Sequence, residues 1–96
     1  MLTKRQQELY NSFYESTHKN EYLDQKMEVL VGLSAAMAMN CEPCTDYYLK
    51  QAKEANISKG EISEVLAKVM AVAAGQKRLQ LEKVIKDYDI DLKSYE

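Results

Sequence analysis

Apolar residues along the chain recur at spacings of three and four and nowhere alternate with polar ones over a strand's length, so every segment reads as helix. Thr3 and Gln6 have the spacing of a capping box, and Leu9, Tyr10, Phe13 and Tyr14 follow on one helical face, which predicts a first helix over 3–17. The polar stretch His18 to Tyr22 reads as a connection, with His18 placed to close the first helix. A second helix is predicted from Asp24 to Met39, carrying Met27, Leu30, Val31, Ser34, Met37 and Ala38 as one stripe. From Val29 to Met39 it is apolar nearly all round, the pattern of a helix buried at the centre of a bundle or between subunits. Its small residues, Gly32 and Ala35 among them, let neighbouring backbones approach closely.

Asn40 and the segment Cys41-Glu42-Pro43-Cys44 interrupt that pattern, and Pro43 suits the first turn of a third helix that runs to Ala55 with Tyr47, Tyr48, Leu49 and Ala52. Ser58 and Glu61 form a second capping box, opening a helix whose buried face is predicted as Ile62, Val65, Leu66, Val69, Met70 and Ala73. The stripe falters at Gly75-Gln76-Lys77-Arg78 and resumes as Leu81, Val84, Ile85 and Tyr88, which predicts a kink or short break near Gly75 and about five helices in all. Residues 89–96 read as a frayed tail. The expected fold is all-α, a small helical bundle.

Composition agrees: one Pro and three Gly in 96 residues leave little to break helices, and a chain of this length makes a single domain over 1–96 with one modest core. Thirteen Lys plus Arg against fifteen Asp plus Glu are interleaved, so no basic face for nucleic acid is announced. The opening MLTKRQQELY lacks the apolar run of a signal peptide, and no stretch of about 18 apolar residues could span a membrane. The expected location is the cytoplasm, where two closely spaced cysteines are more often redox-active or metal-binding than structural.

Cys41 and Cys44 are separated by two residues in the first turn of a helix, where their sulfurs can come within bonding distance and unpaired backbone N–H groups stabilise a thiolate. Glu42 opposes this if its carboxylate points at the thiols. Redox chemistry competes here with two plainer roles for the pair. Cysteines are often buried simply as small apolar residues, and zinc is a possible ligand, although one pair supplies half of a four-ligand set and the sole histidine is distant in sequence. The spacing beside Pro43 favours redox chemistry. His18 is given no catalytic role, and packing is the default for the seven tyrosines. No metal or cofactor is expected.

Leu23-Asp24-Gln25-Lys26, the small-residue run from Gly32 to Met39, Cys41-Glu42-Pro43-Cys44, Glu61-Ile62 and Gly75 together resemble the carboxymuconolactone decarboxylase superfamily, in its alkylhydroperoxidase D-like branch, over about 22–88. The resemblance implies an all-helical fold that assembles into homo-oligomers, and a cysteine pair cycling between dithiol and disulfide in peroxide reduction or electron delivery to a peroxidase. Cys41 and Cys44 carry over directly. The branch has a His four residues after the second Cys, where this chain has Tyr48. The branch's Glu falls at Val29, with Glu28 one residue earlier and so turned by about 100° on a helix. The candidate site residues are therefore Cys41, Cys44, Glu28 and Tyr48. The expected function is thiol–disulfide oxidoreductase, with a peroxide or disulfide as substrate and a thiol as reductant. The alternative is a non-catalytic helical oligomerisation or redox-sensing module, and lactone decarboxylation is the weakest of the three because the cysteine pair marks the redox branch.

Overall fold

A computed structural model describes residues 1–96 and contains four α-helices and no strand. These are α1 (Lys4–Ser16), α2 (Gln25–Ala38), α3 (Glu42–Glu54) and α4 (Lys59–Asp87), followed by a 3₁₀ turn at Leu92–Ser94. Both predicted capping boxes form: Thr3 with Gln6 opens α1, and Ser58 with Glu61 opens α4. Asp24 caps α2 by accepting the Met27 N–H at 2.8 Å. Each of these oxygens satisfies a backbone donor that the first helical turn leaves without an intrahelical partner.

The helix ends are equally specific. Asn40, Asn56 and Asp89 all have positive φ, and each terminates the helix before it. After α2, the Asn40 N–H donates to the Met37 carbonyl at 3.1 Å and the Cys41 N–H to the Ala36 carbonyl at 2.9 Å. After α3, Asn56 and Ile57 repeat this pattern on Lys53 and Ala52. This is the Schellman arrangement, and side chains such as Asn and Asp tolerate the left-handed residue it needs when glycine is absent. The turn at Asn40 thus delivers Cys41 directly from the end of α2 to the start of α3.

The predicted break near Gly75 is absent, since α4 runs unbroken over 29 residues, and the helices number four rather than about five. The register of apolar residues shifts there because the helix changes environment: Ile62, Val65 and Val69 are half-buried, whereas 71–84 are exposed throughout. The expected frayed tail instead closes with the 3₁₀ turn, in which Asp91 accepts the Lys93 N–H at 3.0 Å.

α2 lies between α3 and the first half of α4. Its buried residues are Val29, Leu33 and Ala36, so the predicted stripe is displaced; Met27 and Val31 from that stripe are about half exposed. A helix apolar on all sides offers no periodicity from which to choose the inner face. Val29, Ala52 and Ile57 form one cluster, on which Leu30, Tyr48, Ala55 and Ile62 pack. Full burial of Val29 and Leu33 contributes about 1.5–3 kcal/mol each. Lys26 in α2 pairs with Glu61 in α4, which joins the two segments Leu23–Lys26 and Glu61-Ile62. Glu61 is held at a pKa of about 2 chiefly by the hydrogen bond from Lys26, then by the Ser58 backbone N–H.

Only five residues are buried. No helix packs along α1, whose apolar face of Leu9, Tyr10, Phe13 and Tyr14 is exposed instead of forming core. The radius of gyration is 19.1 Å, against about 12 Å for a compact domain of this length.

Candidate functional site

Cys41 is the N-cap of α3, Glu42 and Pro43 begin the helix, and Cys44 is the third helical residue. The two cysteines are joined by a disulfide, with Cα atoms 5.3 Å apart. The Cys44 N–H donates to Cys41 Sγ at 3.4 Å, so Cys41 does with sulfur what Thr3 and Ser58 do with oxygen. In the reduced protein the same N–H and the helix N-terminus favour a thiolate on Cys41. Cys41 is half-buried and Cys44 exposed.

Both cysteines line a largely apolar cavity of about 450 Å³. Its floor comes from Gly32, Ala35 and Ala36 of α2, its far wall from Tyr47 and Tyr48 of α3, and Tyr14 of α1 reaches it as well. The small residues of α2 have a definite purpose here. A Cβ built at Gly32 would overlap the Tyr48 ring, so the absence of a side chain at 32 is what lets that ring lie against α2. Glu42 is not among the lining residues.

Tyr48 therefore stands at the cysteine cavity. Its pKa is raised by burial, and further by the nearby charge of Glu28, so at neutral pH it keeps its proton and can donate a hydrogen bond but not accept a proton. Tyr47 is raised for the same leading reason, with Tyr14, Glu28 and Glu54 adding to it. Glu28 does not line the cavity. α2 is regular, and Glu28 Oε1 lies 3.3 Å from Nδ1 of His18. Val29, at the position of the branch's Glu, belongs to the core, where a carboxylate would be buried without a partner.

His18 follows the end of α1, where its N–H donates to the Glu15 carbonyl at 3.1 Å, but its side chain is packed rather than solvated. Its side chain is 25% exposed and that of Glu28 17%. The imidazole meets the Tyr14 ring edge-on at a centroid distance of 4.8 Å and the Tyr47 ring at 5.8 Å. Tyr47 in turn meets Tyr48 edge-on at 5.0 Å. A chain of rings thus runs from α1 through the connection to α3. No residue spacing reveals it, because His18 and Glu28 face each other across a connection outside any helix. No group of three or more His, Cys, Asp or Glu stands in position to hold a metal ion, and no helix is long and apolar enough to cross a membrane.

No curated protein and no solved structure matches the chain. Residues 5–87, from the start of α1 to the end of α4, match the carboxymuconolactone decarboxylase family. With that match spanning all four helices, the chain belongs to the carboxymuconolactone decarboxylase family.

Proposed function

We propose that the protein is a thiol–disulfide oxidoreductase of the alkylhydroperoxidase D-like branch, acting as a thiol-dependent peroxidase or as a redox adaptor in the cytoplasm. The observation that carries this reading is a Cys41–Cys44 disulfide at a helix N-terminus, on the wall of an apolar cavity, with Cys44 an exposed residue. In the oxidative half, a cysteine thiolate attacks a peroxide oxygen, the O–O bond breaks, and the alcohol leaves with one proton. The second thiol then displaces water from the sulfenic acid to close the disulfide. In the reductive half, an external dithiol returns two electrons and two protons by exchange.

The geometry favours an order for that exchange. An incoming thiolate reaches the exposed Cys44, and Cys41 departs as a thiolate stabilised by the Cys44 N–H. Tyr48, protonated, donates toward the sulfur or the leaving oxygen, and Glu28 acts at one remove. The chain works as a homo-oligomer. Its extended shape, the uncovered face of α1 and the exposed second half of α4 leave more apolar surface than a monomer of this size sustains. That surface also supports the second reading, a helical assembly module whose cysteine pair senses oxidant without turnover.

Steady-state reduction of an organic hydroperoxide at the expense of a dithiol separates the two. Turnover by the parent protein, abolished in both Cys41→Ser and Cys44→Ser, is expected; full turnover in either single variant would remove the redox cycle and leave the assembly module standing.

A further inference from the structure

We propose that Met39 is a modification site of the cysteine cavity: an apolar organic hydroperoxide held there oxidises its thioether to the sulfoxide, and the oxidised side chain weakens the cavity's hold on further apolar peroxide. The oxidation requires only the cavity, whereas its effect on turnover rests on the dithiol reading above. Of the five methionines in the chain, Met39 is the one that lines the cavity with Cys41 and Cys44. It is the C-cap of α2, where the chain leaves the helix, and it is 79% exposed. Asn40, with φ of 57°, turns the backbone from Met39 into Cys41. Thioether and disulfide share one cavity because they flank one helix junction.

The surroundings set this methionine apart from the others. At about 450 Å³ the cavity has the size of a small-molecule site, and the alanines of α2, Pro43 and three tyrosines give it apolar and aromatic walls. Such walls concentrate an apolar peroxide by the hydrophobic effect and do nothing for hydrogen peroxide. Met37 is half-buried and lines a separate cavity beside Cys41 with Asn40, Glu42 and Thr45. Met1 and Met70 are exposed, Met70 at 61%, but neither lines the cysteine cavity. With Cys41 and Cys44 joined and no free cysteine in the chain, no thiol competes with the thioether for the peroxide.

The step balances. A sulfur lone pair of Met39 takes the distal peroxide oxygen, the O–O bond breaks with its electrons on the proximal oxygen, and the hydroxyl proton passes to that oxygen. Sulfoxide and alcohol result, the sulfur being oxidised by two electrons and the peroxide reduced by two. A flexible apolar side chain thereby becomes a polar hydrogen-bond acceptor on an apolar wall, and an apolar ligand must strip water from it to bind. The reaction falls on protein waiting in the disulfide form, so peroxide capture is weakened when reductant runs short.

The test treats the disulfide form of the full chain with cumene hydroperoxide, or with hydrogen peroxide, and locates the added oxygen by peptide mass mapping. Cumene hydroperoxide should place most of it on Met39, and excess cumyl alcohol, which has the same shape without the O–O bond, should protect Met39 and leave Met70 unaffected. Hydrogen peroxide should distribute oxygen over Met1, Met39 and Met70 alike. Met39 oxidised no faster than Met70 by cumene hydroperoxide, an equal preference for Met39 with both peroxides, or no protection by the alcohol would overturn the site. Steady-state reduction of cumene hydroperoxide by a dithiol then compares treated with untreated protein. In the parent the treatment should raise KM about fivefold or more, and in Met39→Leu it should not change KM from that variant's own untreated value. An equal rise in both, or no rise in a parent carrying the sulfoxide, would overturn the effect on binding. An untreated parent without turnover overturns the dithiol reading itself, whatever the mass mapping shows.

Discussion

Replacing Gly32 by alanine sets two effects of opposite sign against each other. In the interior of α2, alanine should stabilise the helix by about 1 kcal/mol over glycine. The new methyl group, however, would overlap three ring carbons of Tyr48, which packs against the Val29 cluster, so the rigid ring would have to leave that packing and swing toward the cysteine cavity. Overpacking of this kind costs about 1–3 kcal/mol, so Gly32→Ala should be destabilising, by up to about 2 kcal/mol, or about 4–8 °C in Tm for each kcal/mol in a chain of this size. In a Tyr48→Ala background the obstacle is gone and only the helical preference remains, so the same substitution should there stabilise by about 1 kcal/mol. Urea denaturation of the four proteins at one fixed concentration measures both numbers. A Gly32→Ala effect of the same sign and size in the two backgrounds would refute the claim that position 32 is small in order to seat the Tyr48 ring.

The pKa of Glu61, held at about 2 and thus below its ordinary 4.5, means that the Lys26–Glu61 pair contributes stability fully present above about pH 4.5 and lost as pH falls toward 2; acid denaturation of Lys26→Met should show a weaker dependence over that window, and an unchanged curve would deny the pair its role. A Cβ at Gly75 meets nothing within 4 Å and α4 is continuous there, so Gly75→Ala should raise stability by about 0.5–1 kcal/mol in thermal melts, whereas a loss would indicate a bend or a close approach at that site. Light scattering at micromolar concentration should give a mass several times the 11.0 kDa of one chain, and introducing a charge as Phe13→Glu should lower it; a parent at single-chain mass would contradict the assembly.

Local signals in the sequence are decisive where a short-range rule governs. The capping boxes at Thr3 and Ser58 define two helix starts, and the segment Asn40 to Cys44 defines the α2–α3 junction. Asn40, Asn56 and Asp89 also mark helix ends, a signal easily passed over because glycine is the usual residue there. Long-range matters are less legible. The inner face of α2 cannot be chosen from a helix with apolar residues on every side, and the shift in register at Gly75 mimics a kink because the second half of α4 has no partner within its own chain. The cysteine pair is evident from spacing alone, and Tyr48 comes to the cavity because it lies one turn beyond Cys44 on the same helix. Glu28 turns away from the cysteines to a histidine that nothing in the sequence places beside it.

The function proposed for the site depends on Cys41 and Cys44 exchanging electrons reversibly as a pair. Thiol counting with intact-mass measurement asks this of the protein itself, first fully reduced, then after one equivalent of organic hydroperoxide, and again after a dithiol. The peroxide should remove both thiols of each chain and the mass of two hydrogens with no added oxygen, and the dithiol should restore both. Two thiols persisting after peroxide, or a stable gain of oxygen on one cysteine that the dithiol does not reverse, would show that the pair does not cycle.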